Sequence, residues 1–98
     1  MKIDPLALAD LLDLVAYIAS NDLGGARRLH AEIRRQTDTL ATDPKMGRLG
    51  RVTGTRELVI TGTPYLAAYR IADELVTILR VLHESYRRRR RSILISWA

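Results

Sequence analysis

At 98 residues and 47% hydrophobic content, the chain has the size of one compact domain with one modest core, which leaves no room for a second. The absence of cysteine excludes disulfides, thiolate metal sites and thiol nucleophiles, and His30 and His83 stand too far apart in sequence to suggest zinc, so no metal or other cofactor is expected. The formal charge of +5 invites a nucleic-acid partner, yet Arg87 to Arg91 account for all of it: without them the 16 basic residues fall to 11, equal to the 11 acidic ones.

Asp4 followed by Pro5 has the form of a helix cap and first helical residue, because aspartate accepts orphan N–H bonds and proline has no N–H to leave unpaired. Leu8, Leu11, Leu12, Val15, Ile18 and Ala19 then recur at helical steps, which predicts a first helix over 5–19. After the break "SNDLGG", Ala26, Leu29, Ile33 and Leu40 form a second stripe, with Arg27, Arg28, Arg34 and Arg35 turned away from it, and this helix ends near Thr42. Pro44 and Gly47 open a loop that runs through Gly50 and Gly54.

From residue 56 the pattern changes. "RELVIT", "YLAAYRI" and "LVTILRVLH" are rich in β-branched and aromatic residues and are separated by "GTP" and "ADE" turns, which predicts an antiparallel meander. In its last strand Val76, Ile78 and Leu82 are expected on one face and Leu75, Leu79 and Val81 on the other, one face taking the helices and the other open to a partner. The domain is read as 1–86, with 87–98 a basic tail. No apolar run approaches the roughly 20 residues of a membrane span, and "MKIDPLALADLL" lacks the order of a signal peptide, so a cytoplasmic location is expected.

Several residues carry possible chemistry. His83 closes the last strand, where an imidazole can act as a general acid or serve as a satisfied structural residue. Arg48, Arg51 and Arg56 flank a glycine-containing loop, where guanidinium forks either hold phosphate oxygens or simply solvate the connection. Arg70 and Arg80 sit inside apolar strands and each calls for a partner, either Glu57 in an ion pair or a phosphate or acidic protein from outside. Tyr65 and Tyr69 share a face and suit core packing or base stacking. Tyr86 either orients a substrate or anchors the tail.

Taken in order, "DLLDLVAYIA", "DPKMGRLGR", "GTRELV", "TPYLAAYRI" and "ILRVLHES" resemble the RelE/ParE toxins of bacterial type II toxin–antitoxin modules over about residues 5 to 86. The resemblance implies an α+β fold in which two N-terminal antiparallel helices pack on a curved antiparallel sheet of three to four strands. It implies a cognate antitoxin of the ParD/RelB kind, usually acidic, which wraps the toxin in a hetero-oligomer. It also implies one of two targets, DNA gyrase poisoned through protein contacts or messenger RNA cut on the ribosome without metal. In the nuclease version His83 is the acid and Arg56 the charge that stabilises the phosphorane, with Arg51 and Tyr86 in support. Arg48, Arg51, Arg70, Arg80 and Tyr86 are the candidate contacts to target or nucleic acid. Many RelE-like nucleases carry an arginine just after the aromatic residue of the middle strand, where this chain has Leu66 after Tyr65, and "RVLHES" is close to ParE-like members. Both features favour gyrase. A different class, a non-enzymatic binding module recruited through its basic tail, stands as the alternative.

Overall fold

The computed structural model describes residues 1–85; the readings that concern Tyr86, Arg87 to Arg91 and the segment after them lie outside the described residues. The elements are β1 (Lys2–Ile3), α1 (Pro5–Ala19), α2 (Leu23–Asp38), a 3-10 turn (Thr39–Ala41), β2 (Arg48–Leu49), β3 (Arg56–Val59), β4 (Tyr65–Ala72) and β5 (Leu75–His83). They form a helical hairpin on a five-stranded sheet of order β1-β5-β4-β3-β2, antiparallel except for the β1–β5 pair.

Local chemistry sets the helices. Asp4 accepts a bond from the Leu6 N–H at 2.9 Å with Pro5 in the first turn. Asp22 caps α2 through the Gly25 N–H at 2.8 Å, and its carboxylate lies where a Cβ on Gly25 would stand, so any larger residue there would make the Asp22 side chain shift. At its far end α2 is tied to the β3–β4 turn by Gln36, whose amide donates to the Thr61 carbonyl and accepts from the Thr61 N–H at 2.9 and 2.8 Å.

Ala7, Leu11, Ile33 and Leu40 from the helical layer meet Leu58, Ile60, Ala67, Tyr69, Val76, Ile78 and Val81 from the sheet. The sheet has more strands than the three to four expected, because β1 and β2 are two residues long and too short to show a period. The expected facing of β5 is also corrected. Ala68 pairs with Arg80 while Tyr69 pairs with Ile78, so Leu79 is an extra residue, and this bulge brings Val81 onto the helix face with Val76 and Ile78. Leu82 pairs with Leu66 on the other face, where Glu57, Leu66 and Ala68 are buried too. The middle of that face is therefore not the open apolar surface the pattern suggested.

Tyr69 is wholly buried, and its hydroxyl accepts from the Gly47 N–H at 2.9 Å and donates to the Pro44 carbonyl at 2.7 Å. Burial is the main cause raising its pKa above the ordinary tyrosine value, with the Gly47 N–H opposing. A raised folded-state value means stability that is complete below about pH 10 and falls as pH rises through the folded value, since the unfolded chain ionises first. Tyr69→Phe should cost about 1–3 kcal/mol in urea unfolding at neutral pH, by leaving the Gly47 N–H buried without its acceptor. The same substitution should flatten the loss of stability above pH 10.

At the β4–β5 turn both Asp73 (φ 52°) and Glu74 (φ 64°) are left-handed, a conformation that costs a non-glycine residue about 1 kcal/mol or more. Glu74→Gly should therefore raise the unfolding free energy by about 1 kcal/mol, read as a higher urea midpoint at unchanged slope.

Candidate functional site

The sheet distributes the sequence-predicted residues rather than gathering them. Arg48 pairs in register with Glu57, and Leu49 with Arg56, so Arg48 and Arg56 point to opposite faces. The anticipated phosphate cradle is thereby split. Arg48 lies 3.5 Å from the buried Glu57 carboxylate. Arg56 turns to the helix side and donates to the Gly47 carbonyl at 2.7 Å and the Lys45 carbonyl at 3.3 Å, clamping the loop that Tyr69 holds from beneath. Arg51 is exposed on its loop, and Arg70 is exposed on the face away from the helices, in one cross-strand row with Thr77 and Lys2.

Arg80 meets an acidic residue that strand position did not name. Its guanidinium makes two bonds to Asp10 on α1, at 2.7 and 3.0 Å, and the same carboxylate accepts the Val81 N–H at 3.0 Å. β1 pairs with β5 only at Thr77 and Ile78, and Asp10 takes over further along that edge. A 70-residue separation in sequence gave no local sign of the pair.

His83 is exposed at the end of β5, its ring edge-on to Tyr65 with centroids 5.4 Å apart. The Ser85 N–H donates to Nδ1 at 3.0 Å, and the Ser85 hydroxyl lies 2.8 Å from the same nitrogen. Nδ1 thus acts as an acceptor, which leaves Nε2 to carry the proton of the neutral ring. Arg56 pairs with Tyr69 and His83 with Tyr65, so the two are separated by four residues along β4 and two strand spacings, on the order of 16 Å between Cα atoms. Among the described residues no three His, Asp or Glu side chains come together as a metal site, and no helix is long and apolar enough to cross a membrane.

The feature that motif reading missed lies between the helices. Leu11, Leu12 and Val15 of α1 face Leu23, Ala26 and His30 of α2 across an open apolar groove of about 200 Å³, rimmed by Arg27. Leu12 is 61% exposed and Leu23 57%, with Leu8 on the same helix 47%. The signal was present: the first helix carries more apolar positions than one buried face can use, and Ala7, outside the predicted stripe, takes the core position that Leu8 and Leu12 do not.

Comparison with known proteins defines the class. A family model described as the ParE toxin of the type II toxin–antitoxin system parDE matches residues 1–87. The chain is 44% identical over 77 residues to a putative toxin, Y4kP, of Sinorhizobium fredii, spanning 79% of each chain. It is 40% identical over 77 residues to Toxin RelE2 of Caulobacter vibrioides, spanning 79% of this chain and 85% of that one. A solved structure titled as a chromosomal ParDE toxin–antitoxin system from P. aeruginosa superposes with a TM-score of 0.76 at 25% identity, covering 84% of this chain and 91% of the other. The protein is a toxin of a type II toxin–antitoxin system. Within that class it belongs to the ParE family.

Asp10→Ala should remove both guanidinium bonds and the cap on Val81 N–H, costing about 2–4 kcal/mol, whereas Asp13→Ala, an exposed carboxylate on the same helix, should change stability by less than about 0.5 kcal/mol in the same urea titration.

Proposed function

We propose that this toxin arrests growth by inhibiting DNA gyrase through protein contacts, and that a cognate antitoxin neutralises it by laying an apolar segment in the groove between α1 and α2. The observation that carries the first part is the fate of Arg56. The cation that a ribosome-dependent nuclease would need beside His83 is spent on two loop carbonyls, on the order of 16 Å away. Leu66, at the position where many RelE-like nucleases place an arginine, is buried against Leu82 and Val59. A toxin without an assembled acid–base pair acts by occupying its target. Both proposed partners reside in the cytoplasm.

The groove supports the second part. Burying two leucines of this size contributes about 1.5–3 kcal/mol each, and Arg27 and His30 at the rim suit an acidic segment. The nuclease reading keeps one observation in its favour, the exposed His83 ring held through Nδ1 by Ser85, and the contacts assigned to Arg48, Arg51 and Arg70 would then serve ribosome-bound messenger RNA.

A supercoiling assay with the folded, antitoxin-free chain tests the target. Loss of gyrase supercoiling is expected, and it should persist in His83→Ala. Intact supercoiling, with new messenger RNA ends that appear only when ribosomes are present, would replace gyrase by the nuclease reading. For the groove, Leu12→Glu combined with Leu23→Glu should weaken antitoxin binding about a hundredfold in calorimetry while leaving the melting temperature unchanged, because both side chains already face solvent.

A further inference from the structure

The solvent face of α2 carries a basic band that shares only Arg27 with the rim of the groove and nothing with the strand-end cluster. Arg27, Arg28, Arg34 and Arg35 are all exposed. At about 100° per residue, Arg27 and Arg34 share one azimuth and Arg28 and Arg35 another, forming a band about 120° wide that points away from the buried Ala26, Ile33 and Thr37. The two tiers stand about 10 Å apart along the helix. Arg35 is held by Glu32 at 2.9 Å, and Arg28 has only the largely exposed Asp22 at 3.8 Å. Among the described residues neither Arg27 nor Arg34 has a carboxylate partner.

What else lies in the band decides the kind of partner. Its remaining positions hold Gly24, Ala31 and Asp38, so no leucine, methionine or aromatic side chain is present to anchor a protein. Protein interfaces draw their affinity from such anchors in a desolvated centre, whereas a phosphate backbone is bound by charge alone. Guanidinium forks on two tiers about 10 Å apart also match phosphates on the two sides of a duplex groove, which is about 12 Å wide in B-form DNA.

We propose that the arginine band of α2 binds the phosphate backbone of duplex DNA without regard to sequence and so concentrates the toxin on DNA. The choice of DNA over duplex RNA rests on the gyrase reading above, since that enzyme works on DNA; the charge geometry alone fits any duplex. Counterion release gives the proposal its number. Each phosphate contact contributes about 0.9 to the slope of log K against log salt, so removing three arginines lowers the slope by about two to three.

The test uses the full chain, refolded free of antitoxin, and a fluorescent 30-base-pair duplex of random sequence, with anisotropy read across a salt series. Arg27, Arg28 and Arg34 are replaced together by alanine, which leaves the Arg35–Glu32 pair in place and suits a helix. The expected result is a slope shallower by two to three and affinity about tenfold weaker at 0.1 M salt, with an unchanged melting temperature. The variant with Arg27, Arg28 and Arg34 replaced by lysine should keep the slope. Equal slopes for the wild-type and alanine proteins would overturn the proposal, because the basic run at 87–91 is common to both. Tighter binding to a duplex RNA of the same length would overturn the assignment to DNA. Gyrase inhibition by the alanine variant, measured in parallel, separates the two readings. A wild-type protein that binds DNA through the band but leaves supercoiling intact would refute the target and spare the band.

Discussion

The hydroxyl of Tyr69 organises one end of the molecule from inside the core. β4 delivers the ring beneath the loop that follows the helices, where its oxygen accepts from Gly47 and donates to Pro44. A Cβ at Gly47 would lie 2.6 Å from that oxygen and 2.8 Å from the Glu57 carbonyl, so the close approach depends on glycine. Arg56, the cross-strand neighbour of Tyr69, closes the arrangement from above by taking the carbonyls of Lys45 and Gly47. The 14-residue segment between the 3-10 turn and β3, with only the two residues of β2 in regular structure, would otherwise cost considerable ordering entropy. Tyrosine here fills the core as a hydrophobe and satisfies two backbone groups with the same side chain, so the sheet and the loop order together.

Asp10 plays the matching role at the opposite edge of the sheet. β1 is too short to cover β5, and an open edge of a long apolar strand invites pairing with another chain. A carboxylate from α1 reaches the Val81 N–H and holds Arg80 in the same contact, so one acidic residue covers the edge, neutralises a strand arginine and fixes the helix against the sheet. Arginine thus serves four different ends in this small chain. Arg56 holds backbone, Arg80 an edge, Arg48 a buried carboxylate, and the band on α2 presents Arg27 and Arg34 to solvent with no carboxylate among the described residues.

Much of this was legible in sequence, and what was not has a common cause. Asp4–Pro5 marked the start of α1 because capping is local, and the meander over 56–83 was visible because its strands are four to nine residues long. Two-residue strands have no period to detect, and the bulge at Leu79 inverts facing without altering composition. The Asp10 contact of Arg80 and the carbonyl contacts of Arg56 are set by tertiary placement, so strand position marked Arg80 as needing a contact without pointing to Asp10, and the loop reading of Arg56 did not show which backbone it holds. The groove was half visible: surplus leucines on the first helix signalled a second apolar use, but not that α2 would line its other wall.

That surplus constrains how neutralisation can work. A domain of this size has little stability to spare, and leaving Leu8, Leu12 and Leu23 in water gives up stabilisation that packing them would supply. An antitoxin that covers them recovers it and stabilises the folded toxin by mass action, so tight binding and protection from unfolding come from the same contacts. If the target also docks in the groove, neutralisation is direct competition, and release requires only that the antitoxin be lost. If the target docks elsewhere, a ligand in the groove silences the toxin only by wrapping onward to the second surface or by changing the hairpin itself. The short Asp10–Arg80 clamp and the buried Tyr69 node leave the hairpin little freedom to shift against the sheet. Competition or steric cover, rather than a conformational switch, is the form of control this architecture favours.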